Sequence, residues 1–382
     1  MRQIWPGQAE QVYRVCFPSR VRPCHSRRVR ASGERDAAIP AALLAWYDLH
    51  ARKLPWRAPP GLPPPDPYSV WLSEIMLQQT TTAAVAPYFA AFTARWPTVE
   101  ALAAADEAEV MAAWAGLGYY ARARNLIACA RAVAAGGGHF PRTLEGLRAL
   151  PGLGAYTAAA VAAIAFGERA AVVDANVERV VTRLDAIAEP LPLARKTLPA
   201  RVLAMTPEVR PGDFAQAMMD LGAAVCTVRR PRCLACPLAA FCAGFREGDP
   251  ERYPVKPPKP DKPARTGHAY WIARGDQALL VTRPGTGLLG GMRALPDDGW
   301  NARTDGALPP PLPGPWRIGG TIQHSFTHFS LSLHLAVYSG SDWASVAALP
   351  GAWWPFGQIE SAGLPTLFLK AARLGMAQGE TE

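Results

Sequence analysis

A basic loop with four cysteines constrains the fold of this chain more than any other segment. It reads CTVRRPRCLACPLAAFC and contains Cys226, Cys233, Cys236 and Cys242. Four thiolates at this C-x6-C-x2-C-x5-C spacing can bind either a tetrahedral zinc ion or a [4Fe-4S] cluster. A zinc ribbon usually presents two C-x-x-C pairs, whereas this loop has one. The spacing therefore favours the iron-sulfur cluster and leaves zinc as the alternative.

Disulfide bonds are a weaker interpretation of the same cysteines. Cys16, Cys24 and Cys129 would be left over, and the N-terminus lacks the compact apolar block of a secretory signal. The longest apolar stretch, residues 155–167, is too short to cross a bilayer. We therefore expect an intracellular protein that makes no membrane contact. We also expect a monomer, because no segment resembles a dimer seam.

The charge balance indicates the kind of partner. The net charge is +9, and arginine supplies most of the positive side chains. Arginine forks suit phosphate groups better than point charges do, so nucleic acid is the expected partner. The expected location is the bacterial cytoplasm, at the nucleoid.

Composition divides the chain into a helical part and a strand-rich part. Segments such as VEALAAADEAEVMAAWAGLG have helical spacing, and a Pro- and Lys-rich stretch follows the last of them. Beyond it, AYWIARGDQALLVTRP reads as two strands around a turn, and FSLSLHLAV alternates apolar and polar residues. The predicted architecture is an all-α domain followed by a smaller α+β domain. The predicted boundaries are 1–37 for a disordered basic arm, 38–248 for the helical domain, 249–266 for the linker, 267–375 for the second domain and 376–382 for a tail.

A glycine turn upstream of the cysteines strengthens the case for nucleic acid. LPGLGAYTAAAV places Gly152 and Gly154 before a helix, where backbone N–H groups and the helix dipole favour a phosphate. Together with the cysteine loop, this segment resembles the iron-sulfur branch of the helix-hairpin-helix DNA glycosylases. The resemblance implies a structural [4Fe-4S] cluster on the four cysteines. It also implies that Arg229, Arg230 and Arg232 contact the DNA backbone, although a solvated charge run is the alternative.

Position 156 distinguishes two kinds of glycosylase. In relatives that also cut the strand, such as endonuclease III, the matching residue is a lysine that forms a Schiff base. Here it is Tyr156, which cannot do so. The resemblance therefore implies hydrolysis by water, an abasic-site product and a hydrogen-bonding role for Tyr156.

Two carboxylates are candidates for cleaving a glycosidic bond. Asp174, in VVDANVERV, can stabilise the positive charge that develops on the sugar, or it can simply cap a helix. In YSVWLSEIMLQQT, helical spacing places Trp71, Glu74 and Gln78 on one face. We expect this aromatic wall to raise the pKa of Glu74, so that the protonated acid can donate to a leaving base.

The glutamate motif narrows the family. S-E-x-M-L-Q-Q-T resembles the signature of the MutY-type adenine DNA glycosylases, and the likeness continues over about residues 38–245. It implies that Glu74 donates to N7 of adenine and that Gln216 reads the adenine edge. It further implies that Gln79 and Tyr119, the latter in GLGYYARARNL, intercalate into the duplex. Further substrate or DNA contacts are implied for Trp56, Arg57, Gln78 and Asn176.

Two departures from the family pattern lie in the helical part. LPWR is followed by APPGLPPP, which is longer than the family pattern and bears on the placement of Trp56 and Arg57. Ala175 stands where the family usually has glycine, so its side chain must fit a site that normally lacks one. Neither departure removes a catalytic group.

The C-terminal part resembles MutT, in which a Glu-rich box holds magnesium for nucleotide hydrolysis. No glutamate lies between Glu251 and Glu360, so that activity is excluded. QHSFTHFSL instead resembles the F-S-H loop that recognises 8-oxoguanine, with Phe326, Thr327 and His328 at the matching positions. Thr327 replaces the serine, keeps its hydroxyl and adds a methyl group.

These features predict an adenine DNA glycosylase of base excision repair. Its expected substrate is double-stranded DNA carrying adenine opposite 8-oxoguanine or guanine. One alternative is a sister glycosylase for thymine or uracil in mismatches, which would lack both Glu74 and the second domain. Another is a catalytically silent iron-sulfur protein that binds DNA lesions.

Overall fold

A computed structural model of the chain describes residues 32–257, 261–285 and 287–379. Helices fill its first part and strands its second, which confirms the predicted fold class. The helices of the first part are α1 (Ser32–His50), α2 (Pro67–Leu77), α3 (Thr82–Arg95), α4 (Val99–Ala104), α5 (Glu107–Ala113), α6 (Ala121–Ala135), α7 (Leu144–Arg148), α8 (Ala155–Phe166), α9 (Ala175–Leu184), α10 (Leu198–Met205), α11 (Pro211–Ala224) and α12 (Ala243–Arg246). Short 3-10 turns lie at Leu193–Lys196, Cys233–Ala235, Ala239–Phe241 and Pro250–Arg252.

Side-chain caps set where many of these helices begin. Asp66 accepts from the backbone N–H of Ser69 at the start of α2, and Thr98 caps α4 in the same way. Asp106 accepts from two N–H groups of α5 and so divides VEALAAADEAEVMAAWAGLG into two short helices. A short polar side chain at this position satisfies orphan donors and starts a new helix.

Helix α8 organises the helical domain. Its sequence AYTAAAVAAIAF is apolar on all sides, and the helix is buried from Thr157 to Ala165. Small side chains let neighbours approach closely, since a Cβ on Gly212 of α11 would lie 2.5 Å from the Ala163 carbonyl oxygen. Helices α2 and α11 both pack on α8, and α9 packs on α11. This packing brings the functional ends of α2, α8, α9 and α11 to one cleft.

The second part is a mixed sheet structure with helices. Its strands are β1 (Ala264–Trp271), β2 (Ala273–Arg274), β3 (Gln277–Thr282), β4 (Arg293–Ala294), β5 (Trp316–Ser325), β6 (Ser330–Tyr338) and β7 (Ala352–Pro355). Strand β6 pairs with β1 in parallel and with β5 antiparallel, while β3 pairs antiparallel with β2, β4 and β7. Helix α13 (Trp343–Ala347), a 3-10 turn (Phe356–Ser361) and α14 (Thr366–Gly379) complete the domain. The strand predictions for both quoted segments are confirmed.

The elements cross several predicted boundaries. Helix α1 begins at Ser32, inside the predicted basic arm, because Arg35 is anchored to the Leu184 and Phe241 carbonyl oxygens at 2.9 and 2.8 Å. Strand β1 begins inside the predicted linker at Ala264, where it already pairs with β6. Helix α14 runs into the predicted tail. Residues 1–31 and 380–382 lie outside the described residues. Within the described ranges, no helix is long and apolar enough to cross a membrane.

Candidate active site

A buried acid lies at the centre of the cleft. Glu74, in the last turn of α2, is 6 % exposed, and Tyr156, in the first turn of α8, donates its hydroxyl hydrogen to Glu74 Oε2 over 2.7 Å. Burial is the main cause of a raised Glu74 pKa. The hydrogen bond from Tyr156 and the charge of Arg57 oppose that shift, and the charge of Asp174 adds to it. A raised pKa favours the protonated carboxyl, which can serve as a proton donor.

Two aromatic residues, Trp71 and Tyr156, bear on the surroundings of Glu74. Trp71 is fully buried, and its ring packs against Tyr68 and Phe140 in the helical core. Helix α2 is buried over most of its surface because α3, α6 and α8 all contact it, so it has no exposed face to separate from a core face. The structure thus places the Trp71 ring in the helical core, and the aromatic wall beside Glu74 stays a prediction. Tyr156 is the aromatic side chain that contacts the carboxyl group.

Asp174 lies at the N-cap of α9 and also lines the cleft. Its Oδ1 accepts from the Val177 backbone N–H over 2.6 Å, and its Oδ2 accepts from Asn176 Nδ2 over 2.8 Å. Both oxygens are therefore held in place while the carboxylate faces the cavity. Ala175 is exposed at the first position of α9, so its methyl group fits without displacing Asp174.

Arg179 and Arg183 of α9 connect the N-cap turn at Asp174 to the cysteine loop. Neither arginine was identified from the sequence. Arg179 donates to Asn176 Oδ1 over 2.8 Å, and to the carbonyl oxygens of Gly222 and Cys226 over 2.7 and 2.8 Å. Arg183, one turn later, lies 3.4 Å from Cys226 Sγ. Arg179 and Arg183 lie three and seven residues after Asn176, so all three residues share one face of α9. This spacing is visible in the sequence and could have identified the two arginines.

The four cysteine side chains line one small cavity together with Arg183. Burial raises the pKa of Cys236 to about 12, and neighbouring thiolates also raise it. Burial and thiolate repulsion likewise raise the pKa of Cys233 and Cys242. Four thiols facing one cavity form a donor set for a cationic group, which would offset this repulsion. The thiols line this cavity without converging on one point, because no three His, Cys, Asp or Glu side chains among the described residues are grouped closely enough to hold a single metal ion.

The predicted backbone-binding residues are exposed. Arg229, Arg230 and Arg232 lie on the surface of the cysteine loop, where the Arg230 backbone N–H donates to Glu251 Oε1 over 2.7 Å. Gly152 and Gly154 are exposed in the turn between α7 and α8.

That hairpin turn requires glycine at its first position. Gly152 has a φ of +74°, and a Cβ there would lie 2.5 Å from the side chain of Asn125 on α6. Gly154 is the N-cap of α8 and forms no side-chain cap, so its turn presents backbone N–H groups at the helix start.

The LPWR segment lines the cleft in spite of the long loop that follows it. Trp56 is buried and packs edge-on against Phe89, while Arg57 donates to both oxygens of Asp220 over 2.9 and 2.8 Å. Arg52 donates to the same carboxylate, which is nearly inaccessible. This ion-pair network fixes Arg57 beside the acid pocket.

The inserted loop is held on the outside of the domain. The Gly61 backbone N–H donates to Asp213 Oδ2 over 2.9 Å, and Arg210 pairs with the same carboxylate over 2.7 Å. The loop therefore bulges outward and leaves the pocket residues in place.

Two glutamines of the predicted site are held by hydrogen bonds close to the acid. Gln78 Nε2 donates to Thr157 Oγ1 over 3.0 Å, and Gln216 Nε2 reaches the Gly212 carbonyl oxygen at 3.4 Å. Both line the cleft with Glu74.

The two predicted intercalating residues occupy sharp turns. Gln79 and Tyr119 have φ values of 62° and 49°, in the left-handed region that costs energy for residues other than glycine. Gly116 and Gly118 flank Tyr119 with positive φ as well. The turns project both side chains into the cleft, and Tyr119 is 51 % exposed.

The second domain forms the opposite wall of a cleft of about 1500 Å³. Phe326 stacks on Phe329 and so anchors the loop, while Thr327 and His328 are exposed in the cleft. The hydroxyl groups of Thr327 and Tyr119 lie 3.2 Å apart, which brings the loop within hydrogen-bonding distance of the helical domain.

The fold and the pocket define a class, the DNA glycosylases. Residues 72–199 match the HhH-GPD superfamily of base excision DNA repair proteins, and residues 268–374 match the NUDIX domain. A solved thermostable thymine-DNA glycosylase is similar over 57 % of this chain and 100 % of its own, with 30 % identity and a TM-score of 0.52.

Similarity over the full length is more specific. The adenine DNA glycosylase of Homo sapiens is 36 % identical over 440 residues, covering 97 % of this chain and 80 % of that protein. The adenine DNA glycosylase of Mycolicibacterium smegmatis is 44 % identical over 214 residues, covering 55 % of this chain and 71 % of that protein. This chain belongs to the adenine DNA glycosylase family.

Proposed function

We propose that this enzyme hydrolyses the N-glycosidic bond of adenine mispaired with 8-oxoguanine or guanine and leaves an abasic site. The observation that carries the proposal is the buried Glu74–Tyr156 pair, which shares a cleft with Asp174. The cleft is lined by both domains, as a duplex read on both strands requires.

The proposed reaction begins with proton transfer to the base. Protonated Glu74 donates to N7 of the flipped adenine, while its Oε2 accepts the Tyr156 hydrogen bond. As the bond between base and sugar breaks, its electron pair leaves with adenine, and the carboxylate of Asp174 stabilises the positive charge on the sugar. Water then adds to the sugar and passes its proton to the Glu74 carboxylate, which regenerates the acid, and adenine and an abasic site are the products.

The cleft supports hydrolysis without strand cleavage. Tyr156 occupies the position at which the strand-cutting relatives have lysine, and no lysine lines the cleft among the described residues. Without an amine nucleophile, no Schiff base forms on the sugar.

We assign recognition of the opposite base to the loop of the second domain. Phe326 is anchored in the fold, whereas Thr327 and His328 present hydroxyl and imidazole groups to the cleft. These groups offer the donors and acceptors needed to separate 8-oxoguanine from guanine. Gln79 and Tyr119 would insert between base pairs of the DNA duplex. Their contacts would offset part of the free energy that is needed to unstack the adenine.

We further propose that Cys226, Cys233, Cys236 and Cys242 hold a [4Fe-4S] cluster. Their spacing and their shared cavity support this assignment. The cluster would fix the loop that presents the arginines to phosphate groups, so that less entropy is lost on binding. Iron and acid-labile sulfide measured in protein purified without air would test it, and zinc at one ion per chain would contradict it.

We propose that the protein is a monomer. We propose that it acts at the nucleoid of a bacterial cytoplasm. A net charge of +9 supports DNA as the resident partner. Light scattering of the purified protein tests the monomer, and a dimer mass at micromolar concentration would contradict it.

A labelled duplex carrying adenine opposite 8-oxoguanine or guanine tests the function, with thymine and uracil mismatches in parallel. Strand breaks at adenine that require hot alkali are expected. Breaks without alkali would contradict the water mechanism. Breaks only at thymine or uracil would favour a sister glycosylase, and tight binding without product would favour a lesion sensor.

A further inference from the structure

A buried arginine caps the helix that carries the acid. Arg122 of α6 is 8 % exposed, and its Nη1 donates to the carbonyl oxygens of Ile75 and Met76 over 3.0 and 2.8 Å. These carbonyls belong to the last turn of α2, where no intrahelical N–H is available to them. A cation at this end also complements the helix dipole.

The other nitrogen of the same guanidinium holds the two intercalating turns. Arg122 Nη2 donates to the Leu117 and Gly118 carbonyl oxygens over 2.9 and 3.1 Å, just before Tyr119. It also reaches Thr80 Oγ1 at 3.3 Å, just after Gln79. The guanidinium carbon lies 5.5 Å from the Tyr119 ring centroid. One planar group therefore contacts α2 and both turns.

The charge of this arginine is balanced by carbonyl dipoles rather than by an acid. Among the ion pairs found between described residues, none includes Arg122. Burial lowers the pKa of Arg122 to about 10, so it keeps its charge at neutral pH. Lysine cannot reproduce this planar fork, because its ammonium is a compact point charge.

We propose that Arg122 is a positioning residue that holds the acid-bearing end of α2 and the two intercalating turns as one unit. When Gln79 and Tyr119 enter the duplex, the same guanidinium keeps Glu74 in register with the extruded adenine. Base extrusion and proton donation are then coupled through one side chain. This inference rests on the proposed adenine glycosylase function.

The test compares Arg122→Lys with Arg131→Lys in the holoenzyme. Arg131 lies on the same helix, is about half exposed and forms a surface contact with Glu107 at 3.6 Å, so its replacement controls for a lysine on α6. Three quantities are measured well below the thermal midpoints: the single-turnover rate of adenine release, the fluorescence of 2-aminopurine placed at the target position, and the affinity for an undamaged duplex.

Arg122→Lys should lower the release rate by about 100-fold, the scale of a misplaced catalytic group. It should also remove the fluorescence gain that reports unstacking, while affinity for an undamaged duplex is retained. Arg131→Lys should match wild type in all three. Should Arg122→Lys fail to fold, Arg122→Gln, which keeps two N–H donors, is measured in its place.

The outcomes are distinguishable. If Arg122→Lys lowers the thermal midpoint but leaves the release rate and the fluorescence unchanged, Arg122 only stabilises the fold, and the proposal is overturned. A lower rate with intact fluorescence would also overturn it, because extrusion and proton donation would then be independent. Failure of wild type to release adenine would contradict the proposed function rather than this inference.

Discussion

The acid pocket and the loop to which we assign lesion recognition are built in opposite ways. Glu74 is 6 % exposed and is held by Tyr156, and Asp220 beneath Arg57 is nearly inaccessible. In the loop, Thr327 and His328 are exposed, and Phe326 beside them is anchored by its ring stack on Phe329 and by its backbone N–H, which donates to the Phe329 carbonyl oxygen.

The difference follows from the tasks that we propose for the two regions. A proton donor needs burial, because burial raises the pKa of its carboxyl and fixes its geometry before the substrate arrives. A loop that recognises the opposite base needs exposed polar groups, because these can exchange their hydrogen bonds to water for hydrogen bonds to the lesion. We therefore expect substitutions in the pocket to change the rate by large factors, and substitutions in the loop to change the preference between lesions by small ones.

Asp174→Asn should give the largest effect among the following variants. Asparagine caps a helix about as well as aspartate, so the change removes the charge and retains the cap of α9. Single-turnover adenine release should fall by about 100-fold or more, because charge stabilisation in the transition state is lost. The thermal midpoint should stay near wild type, and a large drop in it would show that Asp174 is mainly structural.

Tyr156→Phe should have an intermediate effect. It removes one hydrogen bond to Glu74 Oε2, which corresponds to a fall of about tenfold in rate. That bond stabilises the carboxylate and lowers its pKa, so its loss raises the Glu74 pKa further. Because the active form is protonated, activity is lost as pH rises through this pKa.

The pH profile of Tyr156→Phe provides the direct check. Its alkaline limb should move to higher pH than the wild-type limb. A limb shifted to lower pH, or left in place, would contradict the assignment of Glu74 as the acid.

Arg229→Ala should weaken DNA binding by a smaller factor that is independent of sequence. Arg229 is exposed on the cysteine loop, and each phosphate contact contributes about 0.9 to the slope of log K against log salt. Binding to matched and mismatched duplexes should weaken equally, with a slope reduced by about 1. Arg95→Ala, at a half-exposed ion pair on α3, serves as control. A selective loss for the lesion duplex would contradict a pure phosphate role.

Thr327→Ser should have the smallest effect. It retains the hydroxyl and removes one methyl group, so the ratio of rates for 8-oxoguanine and guanine should change by about threefold or less. Thr327→Ala, which also removes the hydroxyl, should lower the ratio further. Equal rate ratios for wild type, Thr327→Ser and Thr327→Ala would show that Thr327 has no role in lesion recognition.

The residue pattern predicted the elements well where periodicity is strong. The alternation in FSLSLHLAV appears as β6, and the Ala-rich segments appear as helices. Boundaries were less accurate, because Arg35 and the first residues of β1 are fixed by partners far away in the sequence.

The site was predicted through motifs rather than through contacts. Helical spacing placed Trp71 and Glu74 on one face of α2, but the hydrogen bond from Tyr156 to Glu74 depends on how α8 packs against α2. Arg122 and Arg179 were missed, since their partners are mostly backbone carbonyls of other elements, which spacing does not reveal. Spacing along one helix reports its faces, while burial and cross-helix hydrogen bonds arise only on packing.

Single-turnover kinetics of Glu74→Gln on a duplex with adenine opposite 8-oxoguanine tests the central claim most directly. Glutamine has the same shape but no acidic proton, so adenine release should fall by a factor of about 100 to 10,000 while binding is retained. Glu109→Gln, at a half-exposed ion pair on α5, should match wild type. Adenine release by Glu74→Gln at the wild-type rate would contradict the account.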